Sequence, residues 1–179
     1  GDNLEEYRAY YQWKDNQVAP IYAIHGGHDR RKQRYGEGFF SILGNTSATR
    51  TLRMGNLIFI LNCEDFHKNK EKGKSALISS QRFEWIESQL EKYSRDDNNI
   101  FILSHQPING TVAWSTTWAG LNREAWLTIS DKWKKLLEKY QGHVVAHISA
   151  HKHTHYSWRD TPDDTLRYNG YGDGVRGVE

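Results

Sequence analysis

Ile100-Phe101-Ile102-Leu103-Ser104-His105-Gln106-Pro107 is the stretch from which the fold is read. Four consecutive apolar residues, short and bounded by polar ones, fit a buried strand. Ser104 and His105 close it, and Pro107 biases Gln106 toward extended backbone, which helps to stop the strand and turn the chain. The segments on either side have a different period. Before it, Phe83, Ile86, Leu90 and Tyr93 recur at helical spacing, Ser79 or Ser80 is placed to cap that helix, and Asp96-Asp97-Asn98-Asn99 forms a turn cluster. After it, Trp126, Ile129, Trp133, Leu136 and Tyr140 share one face of a second helix.

Further out, Leu57 to Asn62 and His143 to Ser149 read as strands, and Val18 to Ile24 reads as a short buried strand ending at Gly26-Gly27. Leu4, Tyr7 and Tyr11 start the chain at helical spacing, residues 30–50 read as a charged, Gly-containing loop, and Lys68 to Lys74 as a basic one. The tail from Asp160 is polar and Gly-rich and receives no assignment. The expected order is helix, strand, strand, helix, strand, helix, strand. Alternation of this kind predicts a layered α/β arrangement, expected as a single domain over residues 1–179.

Composition narrows the function. The chain has 179 residues, with 24 Lys and Arg against 22 Asp and Glu, a formal net charge of +2. So even a balance argues against an electrostatic nucleic-acid binder. Seven Trp and six Phe exclude disorder throughout. A single cysteine, Cys63, excludes an internal disulfide framework and leaves the compartment open. The longest apolar run, Leu57 to Leu61, is far shorter than the roughly 18–20 residues of a membrane span. The chain opens on Gly1-Asp2 without a methionine, and the expectation is that it begins inside a larger protein.

In open α/β sheets, ligands gather beyond the ends of the strands. The polar clusters fall at such ends: His25 to Asp29, His105, and His151 to His155. Ala150-His151-Lys152-His153-Thr154-His155 has three His at alternate positions, which share one face of an extended segment. Imidazole and carboxylate groups are the usual ligands of zinc, iron and manganese. The plain reading of the same segment is a solvated, His-rich loop. His105 alone reads as a hydrogen-bonded edge residue rather than a ligand. In His25-Gly26-Gly27-His28-Asp29, two glycines permit a tight turn and close backbone approach, and Asp29 is placed to hold an imidazole in one tautomer; the plain reading is a glycine turn.

Taken together, these clusters resemble the motifs of the calcineurin-like metallophosphoesterases. That family runs D-x-H, G-D, G-N-H-[DE], a His after a strand, and G-H-x-H. Gly1-Asp2 resembles the second motif, Gly26-Gly27-His28-Asp29 the third, Ser104-His105-Gln106-Pro107 the fourth, and Ala150-His151-Lys152-His153 the fifth. Ser80-Gln81-Arg82-Phe83-Glu84-Trp85-Ile86-Glu87 resembles the family's Gln-x-x-x-Trp-Leu helix. The likeness is clearest over residues 1–156. It implies a layered β-sandwich flanked by helices, with the first strand missing from this sequence.

Three departures stand out. No D-x-H precedes Gly1, Gly27 stands where the family has a metal-binding Asn, and Ala150 replaces a glycine. Gly27 has no side chain to donate, so one ligand to the second metal is lost, and water or His25 is left to fill the position. A register one step later would use His153 and His155; His151 and His153 are preferred because Ser149-Ala150 matches the family's Ser-Gly. Asp65-Phe66-His67 is a literal D-x-H in the wrong place in the order, and Gly142-His143 precedes its strand and is read as structural.

The resemblance implies two divalent metal ions, manganese, iron or zinc. Asp2 would bridge them, His105 and His151 would bind the second and His153 the first. Two ions about 3.5–4 Å apart clamp a phosphate and activate a water. His28, oriented by Asp29, would stabilise the transferring phosphoryl group or protonate the leaving group. The expected activity is hydrolysis of a phosphomonoester or phosphodiester. Two other readings stand beside it: a non-catalytic relative that binds metal or a partner, motivated by Gly27, and a metal-sequestering protein using residues 143–155 alone. Trp114 and Trp118 lie in a candidate substrate loop, where stacking on a base and plain core packing are both open.

Overall fold

The computed structural model describes residues 4–24, 49–63, 78–111, 123–150, 155–157 and 167–169. Helix α1 spans Leu4–Asp15, strand β1 Arg50–Met54, β2 Leu57–Asn62, helix α2 Ser80–Tyr93 and β3 Asn99–Ser104. Helix α3 spans Arg123–Lys139, β4 Val144–Ile148, β5 His155–Ser157 and β6 Arg167–Asn169. Strands β1 to β4 form one sheet in the order β1-β2-β3-β4, and β5 pairs with β6 in a separate antiparallel ribbon. The result is a mixed four-stranded sheet with helices, an α/β arrangement.

Parallel neighbours need a crossover connection, and a helix is the usual one. Here α2 lies between β2 and β3 in the chain and α3 between β3 and β4, and both strand pairs are parallel. Ser79 caps α2, its Oγ accepting the Arg82 N–H at 3.1 Å, which satisfies one of the donors a helix start leaves over. Ile86 and Leu90 of α2 and Trp126, Trp133 and Leu136 of α3 form one buried cluster with Ile58, Ile60, Ile100 and Ile102. The four isoleucines are even-numbered on both strands, as period-two alternation requires for one face of a sheet. Phe59 stacks on its register partner Phe101 on the opposite face, ring centroids 5.3 Å apart.

Two expectations are corrected. Val18 to Ile24 contains no strand; Val18 is fully exposed and Pro20 has no N–H for a ladder. Arg50 does not end a loop but opens β1, which forms a hairpin with β2. Its two-residue loop, Gly55-Asn56, holds Gly55 at φ 63°, a left-handed conformation that glycine adopts without a steric cost. The Gly-Asn pair between two strand-like runs was the sequence signal for this hairpin. The tail that received no assignment supplies β6, paired with β5. The Lys68 to Lys74 loop lies outside the described residues.

The last strand departs from simple alternation. Val144 pairs with Ile100, but Ala146 pairs with Phe101 and His147 with Ile102. One extra residue is thus inserted in β4, a bulge, and Val145 there is exposed. The insertion brings His147 onto the face occupied by Ile102 and Trp133.

Candidate functional site

Because β2, β3 and β4 are parallel, their carboxyl ends fall on one edge of the sheet. Asn62 is in register with Ser104, and Leu103 with Ile148. His105 follows β3 directly and is half-buried. Its carbonyl accepts the N–H of Ala150 at 3.1 Å, so the loop after β3 is joined to the chain leaving β4 one residue before His151.

The His105 turn is stitched in place by its neighbours. The Ser104 hydroxyl donates to the Gln106 carbonyl at 3.1 Å, spanning His105. The same oxygen lies 2.8 Å from Nε2 of His147. Helix α3 holds the rest of the loop: the Asn109 N–H donates to Ser130 Oγ at 3.0 Å, and the Trp126 Nε1–H reaches the Pro107 carbonyl at 3.4 Å. The His147 ring also packs against Trp133, centroids 5.1 Å apart. Burial disfavours the imidazolium there and lowers the His147 pKa from 6.5 to about 4, so the ring is neutral at pH 7.

Of the residues singled out from the sequence, His105 lies among those described. Asp2, His28, Asp29, His151 and His153 lie outside them, as do Gly27, Asp65, His67, Trp114 and Trp118. His155 opens β5 opposite Asn169. His143 sits at the other end of β4, its carbonyl accepting the Ile100 N–H at 3.0 Å, away from the edge that carries His105.

Sequence reasoning passed over three residues at this edge. His147 looked like an ordinary position within a strand. Asn62 and Gln106 are buried, and Asn62 Oδ1 and Gln106 Oε1 have no hydrogen-bond partner among the described residues. Their signal was weak: an amide closing an apolar strand, and an amide before a proline. A buried amide oxygen without a partner loses its hydration at a cost of about 1–3 kcal/mol unless something binds it.

Whether a metal suits this edge rests on donor chemistry. Among the described residues no three His, Cys, Asp or Glu side chains converge. At the ends of adjacent strands stand His105 and two buried amide oxygens that have no hydrogen-bond partner among the described residues. Nitrogen and oxygen donors of this kind fit zinc, iron or manganese. Among the described residues, no helix is long and apolar enough to cross a membrane. No protein-family model matches the chain, and no curated protein matches it significantly.

Proposed function

We propose that the chain is a metal-dependent phosphoester hydrolase with the layered sandwich of the calcineurin-like metallophosphoesterases. The observation that carries the reading is the junction between His105 and Ala150. It ties the stretch that resembles the family's fourth motif to Ala150, the first residue of the stretch that resembles the fifth, at the sheet edge where α/β proteins bind ligands.

In this reading Asp2, His105, His151 and His153 hold two divalent ions. When bound, such ions supply Lewis-acid stabilisation of phosphoryl oxygens and a lowered pKa for water. The chain's own work in this reading would be to hold these donors in place. His105 lies in a turn fixed by two hydrogen bonds, one from the Ser104 hydroxyl to the Gln106 carbonyl and one from the Ala150 N–H to its own carbonyl. His28, with Asp29 beside it in sequence, is assigned the proton transfer to the leaving oxygen.

The test is manganese- or zinc-dependent hydrolysis of a generic phosphomonoester and a phosphodiester by the full-length natural protein. Metal-dependent turnover is expected, and His105→Ala and His151→Ala are each expected to remove most bound metal. No hydrolysis of either ester under any divalent ion would sink the proposal. Full metal content in both variants would overturn the ligand assignment. Gly27 favours one further reading, a relative that binds without catalysis. Gly27→Asn separates the two: a large gain in rate marks a weakened enzyme, and no gain with intact folding marks a binder.

A further inference from the structure

We propose that His147 is a positioning residue for His105, acting through Ser104 to fix the turn that carries the His105 imidazole. The inference rests on the phosphoesterase reading and adds to it a group that touches neither metal nor substrate.

A serine hydroxyl has one hydrogen and two acceptor lone pairs. The Ser104 hydrogen is directed to the Gln106 carbonyl, 3.1 Å away. The contact at 2.8 Å between Ser104 Oγ and His147 Nε2 must then be donated by the imidazole. His147 is therefore the Nε2–H tautomer, and Nδ1 carries no proton. The chain of donors runs one way, from His147 to Ser104 to the backbone of Gln106, and it encloses His105. The His105 carbonyl is fixed on its other side by Ala150.

A space-filling role does not account for this arrangement. The face that receives His147 is built of Ile and Trp, where an aliphatic side chain would pack without polar atoms to satisfy. The bulge at Val145 is what turns the imidazole inward, and without it Ala146 would stand opposite Ile102. Burying an imidazole is unfavourable unless its N–H finds a partner. The partner it finds is the residue immediately before His105. Groups that orient a metal ligand in this indirect way typically change metal affinity 10–100-fold when removed.

The test titrates manganese alone into the full-length natural protein and its variants, with thermal unfolding measured on the same samples. His147→Gln keeps an N–H near the Nε2 position, whereas His147→Leu fills the space without a donor. Ser104→Ala removes one oxygen and carries the test if His147→Leu does not fold. His147→Leu and Ser104→Ala are expected to weaken manganese binding about 10–100-fold, and His147→Gln to stay within about threefold of wild type. A purely structural role would shift the melting temperatures and leave the affinities together. Variants without the donor that bind as tightly as wild type overturn the positioning role and leave the phosphoesterase reading standing. A wild-type protein that binds no manganese overturns that reading, and the positioning role with it. Nitrogen NMR of the imidazole supplies a readout independent of metal: Nε2–H is expected, and Nδ1–H overturns the relay.

Discussion

Lowering the pH from 7 to 4 should destabilise this protein through one residue by an amount that can be worked out. His147 is neutral in the fold, with its pKa lowered from 6.5 to about 4 by burial. In the unfolded chain the same imidazole returns to about 6.5. Between these values the unfolded state binds a proton that the folded state does not, so stability falls as pH falls. The contribution of His147 to stability is therefore complete above about pH 6.5. It declines through the window down to about pH 4 and is constant below it. A drop from 6.5 to about 4, at about 1.36 kcal/mol per pH unit, amounts to roughly 3 kcal/mol. Ser104 and Trp133, which lie against the ring, carry no charge, and desolvation is the physical cause. The assay is urea unfolding followed by tryptophan fluorescence, for wild type and His147→Gln, at intervals from pH 7 to pH 4. The other titrating groups are common to both chains, so the difference between the two curves isolates His147. Wild type should lose roughly 3 kcal/mol more than the variant across that window. Parallel curves would refute the reasoning and place the His147 ring in water.

Two further outcomes follow from the core and the hairpin. Trp133 is buried, packed edge-to-face with Phe83 at 5.2 Å and tilted against His147 at 5.1 Å. Trp133→Ala should cost about 3–5 kcal/mol in denaturant unfolding and should raise the His147 pKa toward 6.5, read by NMR titration; an unmoved pKa would show that Trp133 is not what keeps water away. At Gly55, φ is 63° and an added Cβ would meet no atom within 4 Å, so substitution there tests backbone conformation alone. Gly55→Ala should cost about 1 kcal/mol and Gly55→Asn less, because Asn tolerates the left-handed region; equal costs would mean that the turn relaxes.

Much of the scaffold was legible because it depends on local pattern. The spacing of Phe83, Ile86, Leu90 and Tyr93 dictates a one-sided helix, and Ile86 and Leu90 are fully buried. The run from Ile100 to Leu103 dictates a buried strand, and it lies between two parallel neighbours. The same kind of reading failed at Val18 to Ile24, where an apolar run has no strand to pair with among the described residues. A strand is completed by its partner, and periodicity does not reveal whether one exists. Of the candidate site, the sequence identified His105 and the expectation that ligands gather at strand ends. It gave no indication that Ser104 and Ala150 would hold the turn around His105.

The sequence by itself determined the two amphipathic helices and the buried strands β2 and β3 and narrowed the cap of α2 to Ser79 or Ser80, because each follows from residues within a few positions of one another. Tertiary structure alone decided which way His147 faces. Strict alternation from Val144 puts Val144, Ala146 and Ile148 inward and His147 outward. The bulge reverses this, leaving Ile148 exposed and His147 against Trp133 and Ser104. Inserting one residue in a strand exchanges its two faces, and whether it is inserted depends on groups 14 and 43 positions away in the chain. Only the assembled sheet and helix bring those groups to the same place.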